Sequence, residues 1–399
     1  MKNHTKSIEI ISSKSDAHRA LICAALSKDA CQVSYQGSSK DIQATEVCLS
    51  ALKMGQEDMY CGESGSTLRF LLPVMGALGR KAAFHMEGRL PERPLSPLYE
   101  ELEAHGCRLS PQGQNPLIIE GQLQPGTYTI AGNVSSQYIS GLLFALPLLD
   151  GDSEILIEGI LESTPYVNMT INTLSHFGIT IETTDRGFSV PGKQTYTGPK
   201  EYIVEGDWSN ACFFLAAGAL TEGGIKVTGL NPASLQGDKA ILDILKEMGA
   251  LVEITPEAIT VAPGTGLHAI PLDVSQIPDM TPILSVLALA AEGTTEIINA
   301  GRLRIKESDR LAAITETLTA LGGHVEEQAE GLIIRGGHRL TGGTIDTHND
   351  HRIAMMAAAA SLISDGTVTI QNAEAVKKSY PAFFDVWKEA GLESKLERK

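Results

Sequence analysis

The sequence predicts a two-lobed α/β protein built from six related supersecondary units. Three observations predict it. A polar or charged cluster followed by an apolar helix of about three turns comes round six times. A second helix pattern recurs between these, with apolar residues at i, i+3 or i+4 and Gly at or near its end. Short β-branched runs bounded by Gly, Pro and Asp separate the helices.

In chain order, the six copies open near Lys14 (SKSDAHRALICAAL), Gly65 (GSTLRFLLPVMGAL), Ser135 (SSQYISGLLFALPLL), Trp208 (WSNACFFLAAGAL), Asp279 (DMTPILSVLALAA) and Asn349 (NDHRIAMMAAAASLI). Most are spaced by roughly seventy residues, too long and too mixed a unit for a thin solenoid. The second helix reads LSPLYEELEAHG, VNMTINTLSHFG, DKAILDILKEMGA and RLAAITETLTALGG, and strand-like runs fall at 128–130, 155–157, 225–228, 295–298 and 367–370. Each unit therefore reads β-α-β-α-β-β. The six divide into two sets of three, with a junction near 204–207. A first strand left in the other lobe would give a second crossing near 11–13, and hence a double-stranded hinge.

Composition narrows the function. A chain of 399 residues should fold as two domains or more. A net charge of −16 argues against general binding to nucleic acid or a membrane surface. The six cysteines form no CxxC pair, which suggests a reduced, cytoplasmic chain. The N-terminus lacks the apolar run of a signal peptide, and no apolar stretch is long enough to cross a bilayer. The tail LESKLERK reads as a frayed, solvated end. No HExxH, GxSxG or nucleotide-binding glycine pattern occurs, so neither metal nor cofactor is expected.

The helix starts carry the chemistry. Helix N-termini present unsatisfied N–H groups and a positive dipole end, so several converging would bind an anion. Lys14 and Arg19 flank the first start, Arg69 follows the second, and Arg93 lies in RLPERP. KESDR supplies Lys306, Glu307, Asp309 and Arg310; NDHR supplies Asp350, His351 and Arg352; Lys378 follows the last strand. Arg and Lys together suit phosphate and carboxylate groups, though each alone reads as a solvated charge. Ser135, Ser136 and Gln137 open a helix as a cap or as donors to an anion. Asp279 reads as a first-turn acid or a general base, and Glu307 as an exposed ion pair with Arg310 or an acid/base group. His351 reads as packing or as a ligand contact, and the Gly62–Ser66 stretch as a turn that backbone could bring close to a ligand.

The motifs SKSxxxR, GxxGSTLR, ERP, SSQ, STPY, QGD, IPD, KESDR, NDHR and KSYP, in this order, closely resemble the 5-enolpyruvylshikimate-3-phosphate synthase family. The resemblance runs from about Ser13 to Phe384. It implies a two-lobed inside-out α/β barrel, each lobe three βαβαββ repeats with buried helices. One lobe would span 13–205 on the shikimate 3-phosphate side. The other would span 1–12 and 206–399 and carry phosphoenolpyruvate and the acid/base groups. It also implies closure by hinge motion. A monomer is expected from size, since two lobes of this size can bury their own cores. The implied reaction moves the enolpyruvyl group of phosphoenolpyruvate to the 5-hydroxyl of shikimate 3-phosphate and releases phosphate.

By matching motif, the resemblance gives Lys14, Asp279 and Glu307 catalytic roles. Shikimate 3-phosphate would meet Lys14, Ser15, Arg19, Ser135, Ser136, Gln137, Ser163, Tyr166, Asp279 and Lys306. Phosphoenolpyruvate would meet Lys14, Gly65, Arg93, Gln137, Arg310, Arg352 and Lys378. The chain departs from the family pattern at His18, Glu63, Phe70 and Arg302. Two rival readings are a UDP-N-acetylglucosamine enolpyruvyl transferase, which shares the fold but uses a reactive Cys absent from 80–97, and a non-catalytic anion-binding homologue. Against the second, pure anion binding would gain little from Asp279 and Glu307 beside the cations.

Overall fold

The computed structural model describes residues 5–399. By contact the chain separates into two compact units, residues 14–204 and residues 205–399 with the N-terminal segment through Ser13.

Within 14–204, two copies of the repeat are complete. Strands Asp58–Gly62 and Ala82–Met86 pair in parallel; Leu117–Gly121 then joins antiparallel to the second, and Cys107–Leu109 antiparallel to it. Thr127–Ala131, Ser153–Glu158, Gly187–Val190 and Glu182–Thr184 repeat this order. The other unit holds two more four-stranded sheets of the same topology, one led by Leu272–Asp273 and one led by Lys6–Glu9 beside Ile225–Thr228.

Two of the six copies depart from the expected β-α-β-α-β-β unit. The first supplies only Gln32–Ser34, which pairs in parallel with Glu201–Ile203, because the chain's opening strand is spent in the other unit. The last has three parallel strands, Gly343–Asp346, Val368–Gln371 and Leu396–Arg398. The tail expected to fray is therefore partly a strand: its backbone pairs with Val368–Gln371, and Arg398 lies 4.9 Å above the Phe384 ring.

The helices that open the copies form the cores. Gly65–Ala77 and Ser136–Ala145 pack together in one unit, and Trp208–Leu220, Thr281–Ala290 and His351–Ala360 in the other. Their sequences are apolar all round, which is why no face turns to solvent. The first turns of all but Thr281–Ala290 are held by side-chain caps: Ser64 accepts from Thr67 N, Ser135 from Gln137 N, Asp207 from Asn210 N and Asp350 from Arg352 N.

The two crossing segments run side by side. Asp207 N donates to Ile11 O at 2.9 Å and Ser13 N to Glu205 O at 2.7 Å. Gln236, the Gln of QGD, ties them: Nε2 donates to Gly206 O and Glu205 Oε1, and Oε1 accepts from Ser13 Oγ and Trp208 N. All six cysteines are free, and five are buried. Among the described residues, no helix is long and apolar enough to cross a membrane.

Pro73 lies inside helix Gly65–Ala77 and has no N–H for the carbonyl of Arg69, four residues back. Gly141 of the neighbouring helix sits against that carbonyl; a Cβ there would collide with Arg69 O and lie 3.0 Å from Pro73 Cγ. The helices can approach this closely only because residue 141 has no side chain. Gly141→Ala should destabilise the 14–204 unit by about 1–3 kcal/mol. A lowered unfolding midpoint in urea, read by circular dichroism, checks it; an unchanged midpoint would show that the helices part without cost.

Candidate active site

Each unit gathers its share of the sequence-predicted residues. In 14–204 they fall into two clusters and one pair. Gly65 anchors the first cluster: a Cβ there would collide with Arg69 Nη1 and sit 2.9 Å from Arg93 Nη1, so glycine lets both guanidiniums close over the turn. Gln137 links this group to its own helix start. Its Oε1 accepts from Arg69 Nη1 at 3.2 Å, and its Nε2 donates to Ser66 Oγ at 3.0 Å. Ser135 caps the helix by accepting from Gln137 N, and Ser136 is buried beside it. Arg69 Nη2 donates to Pro94 O at 3.0 Å, steadying the segment that carries Arg93.

The second cluster surrounds Arg19. Its Nε donates to Thr170 Oγ1 at 2.8 Å, Nη1 to Ser15 O at 2.5 Å and Nη2 to Tyr166 O at 2.8 Å. Burial pulls the Arg19 pKa down to about 10, against the pull of Asp16. Arg19 thus joins helix Lys14–Leu26 to helix Thr164–His176, whose first turn follows Ser163, a residue in the left-handed region at φ 53°. Lys14 Nζ pairs with Asp41 Oδ2 at 2.6 Å.

In the other unit the residues centre on Arg310, 1 % exposed. Nη1 meets Asp279 Oδ1 at 2.7 Å, Nη2 meets Glu307 Oε2 at 2.6 Å, and Nε meets Asp350 Oδ2 at 2.7 Å. Burial opposes the Arg310 charge, but Asp350, Glu307 and Asp279 outweigh it and raise its pKa. Asp279 also faces Arg352 Nη2 at 3.3 Å and Lys306 Nζ at 3.7 Å. Burial disfavours its ionisation, yet Arg352, Lys306 and Arg310 hold its carboxyl well below the usual range. Burial pushes Lys306 down to about 8 despite Asp279. Lys378 Nζ donates to Asn349 O at 2.5 Å, beside the NDHR helix start. The Glu307–Arg310 contact is not the exposed ion pair that its spacing allows, because the arginine is buried among three acids. His351 is buried.

Three residues of this site had no assigned role in the sequence reading. Asp350 is fully buried, caps Arg352 N, accepts from Ser308 Oγ and pairs with Arg310. Its position just before a helix was a signal that could have found it. Arg69 stood at a helix start like its neighbours. Asp41 pairs with Lys14 from a distance of 27 residues in sequence, for which no local signal exists. Asp238 of QGD lies in the field of Arg352 and Asp279, and burial pushes its carboxyl up to about 6. Among the described residues, no group of three or more His, Cys, Asp and Glu could hold a metal ion.

Asp350 is the residue whose loss would leave Arg310 most exposed to unpaired burial. Its folded-state pKa lies below the unfolded value, where Arg310 and His351 outweigh the opposing effect of burial. Its contribution is therefore complete above the unfolded carboxyl pKa of about 4 and is lost as pH falls through the folded value. Asp350→Ala should cost about 3–5 kcal/mol at pH 7 and much less in acid. Urea denaturation at pH 7 and pH 3 checks it; an equal loss at both would remove the ionic account.

A family model described as EPSP synthase (3-phosphoshikimate 1-carboxyvinyltransferase) matches residues 55–387. The 3-phosphoshikimate 1-carboxyvinyltransferase of Clostridium acetobutylicum is 44% identical over 411 residues, covering 96% of this chain and 94% of its own. That of Brachyspira hyodysenteriae is 41% identical, covering 96% of each chain. Among solved structures, EPSP synthase from Acinetobacter baumannii aligns with TM-score 0.79 at 26% identity, covering 98% of this chain and 96% of its own. The enolpyruvyl transferase NikO from Streptomyces tendae, at 17% identity and TM-score 0.75, shares the fold.

Proposed function

The chain belongs to the EPSP synthase (3-phosphoshikimate 1-carboxyvinyltransferase) family, and on that premise we propose that it transfers the enolpyruvyl group of phosphoenolpyruvate to the 5-hydroxyl of shikimate 3-phosphate and releases phosphate. This is a step of the shikimate pathway to aromatic amino acids. The observation that carries the chemistry is the pair of carboxylates Asp279 and Glu307 set on one buried guanidinium, Arg310. Anion binding alone would not place acids there.

In the 14–204 unit, Ser15, Arg19, Ser135, Ser136, Gln137, Ser163 and Tyr166 hold shikimate 3-phosphate. Gly65, Arg93 and Gln137 meet phosphoenolpyruvate, and Lys14 meets both. In the other unit, Lys306 and Asp279 serve shikimate 3-phosphate, and Arg310, Arg352 and Lys378 serve phosphoenolpyruvate. Arg310 is already engaged by three acids, so its contact with phosphoenolpyruvate draws on donors that Asp279 and Glu307 share.

Asp279, held ionised by its cations, orients the 5-hydroxyl and takes its proton as oxygen attacks C2 of the enol. Glu307 delivers a proton to the methylene carbon. The product is a tetrahedral ketal phosphate. Glu307 then takes back a methyl proton, the enol double bond re-forms, and the C–O bond to phosphate breaks; the hydroxyl proton held by Asp279 passes to the leaving phosphate, which cations hold, so both acids return to their starting states. Lys14 stabilises charge on both substrates. The chain acts as a monomer, without cofactor, nucleic acid or membrane, in the cytoplasm. The UDP-N-acetylglucosamine reading is not favoured by the relatives' names.

Phosphate release by the purified chain, with shikimate 3-phosphate and UDP-N-acetylglucosamine as parallel acceptors, tests the proposal. Release with shikimate 3-phosphate alone is expected; release only with the sugar nucleotide would overturn it. Asp279→Asn and Glu307→Gln should each lower kcat by about 100-fold or more, with far smaller changes in ligand affinity by calorimetry. Lys306 loses its charge above about 8. So kcat/KM for shikimate 3-phosphate should fall above that pH, and Lys306→Arg should carry the plateau further. A limb unmoved by that substitution would assign it to another group.

A further inference from the structure

Four buried side chains that no proposed ligand contact uses stand in one hydrogen-bonded line in the 14–204 unit. His18 Nδ1 lies 2.7 Å from Thr45 Oγ1, Thr45 Oγ1 lies 2.6 Å from Thr67 Oγ1, and Thr67 Oγ1 donates to Ser64 Oγ at 2.7 Å. All four residues are buried. The line starts one helical turn beyond Lys14 and ends at the residue before Gly65. Ser64 also accepts from Thr67 N at 3.2 Å, capping helix Gly65–Ala77.

The proton order follows from counting hydrogens. Each threonine hydroxyl has one to give. Thr67 gives its hydrogen to Ser64, so Thr45 must give its own to Thr67. Thr45 can then only accept from His18, which puts the imidazole proton on Nδ1. His18 Nε2 is buried with no hydrogen-bond partner, as a bare lone pair there should be. A second proton would place a buried cation beside two others. Burial, with Lys14 and Arg19, holds the imidazole pKa well below its usual value. Phe70 fixes the ring, edge to face at 6.5 Å, and lies under the Arg19 guanidinium at 5.2 Å. Two of the positions where the chain departs from the family pattern, His18 and Phe70, thus pack on each other.

We infer that His18, as its Nδ1–H tautomer, is a positioning residue that fixes the Ser64 cap through Thr45 and Thr67, and with it the turn that presents Gly65 to phosphoenolpyruvate. The inference rests on the assignment of Gly65 to phosphoenolpyruvate in the proposed function. His18 touches neither substrate; it acts through two hydroxyls.

The shape of asparagine makes the test specific. The amide of His18→Asn places an N–H where Nδ1–H stands, whereas His18→Gln carries its amide one bond further, towards Nε2. His18→Asn should keep the KM for phosphoenolpyruvate near that of the native chain. His18→Gln, His18→Leu and Thr45→Val should each raise it about tenfold, with kcat within about twofold. Because one line is broken either way, His18→Leu combined with Thr45→Val should be no worse than either alone. Additive losses, or a glutamine variant that outperforms asparagine, would overturn the inference in favour of simple packing. In the native protein without substrate, long-range proton–nitrogen correlation at pH 7 should show His18 protonated at Nδ1 only. A proton on Nε2 would overturn it even if every variant failed to fold. Should the native chain release no phosphate, the proposed function fails, while the spectrum still decides the tautomer.

Discussion

Arg310 is the constraint on which the ionic cluster of the 205–399 unit depends. A buried guanidinium is tolerable only when its charge is met, and here three carboxylates from three separate segments meet it. That requirement fixes Asp279, Glu307 and Asp350 to within hydrogen-bond distance of one group. It also decides their states. Asp279 stays ionised although burial opposes it, because Arg352, Lys306 and Arg310 surround it. Two of the acids then carry the proposed proton transfers, while Asp350 stays behind as the cap of the helix that bears Arg352.

The 14–204 unit solves a different problem. Its cations meet fewer acids, Lys14 with Asp41 and Arg19 near Asp16, and they collect at helix starts and where backbone approaches closely. Gly65 lets Arg69 and Arg93 close over a turn, Gln137 holds Arg69 in place, and Ser135 caps the helix that carries Gln137. Arg19 is bound at three donors to neighbouring segments, so it serves the packing of two helices as well as any ligand. The packing constraint beneath is equally local: Pro73 frees a carbonyl and Gly141 accepts the resulting contact.

Much of this was legible in the sequence because the repeat is written in strong periodic signals. Apolar-all-round helices such as FFLAAGAL and IAMMAAAA must be buried, and capping residues at their starts mark where polar groups collect. Less legible were features made by segments far apart. The first copy's single strand, Gln32–Ser34, finds its partner in Glu201–Ile203, well over a hundred residues on. The tail's pairing with Val368–Gln371 was hidden by its charged composition. Asp41 gave no sign of meeting Lys14, since a single acid in a helix first turn is ordinary.

The sequence by itself determined the α/β class, the recurring helix pattern, the helix starts as places where polar side chains collect, and the family, because these rest on local pattern and on ordered motifs. The tertiary structure decided which cation meets which acid, that Arg310 rather than Lys306 sits at the centre of the ionic group, and which proton His18 carries. Those outcomes depend on burial and on distances between segments remote in sequence. Electrostatic and hydrogen-bond energies there change over one or two ångströms, a scale that composition and spacing do not resolve.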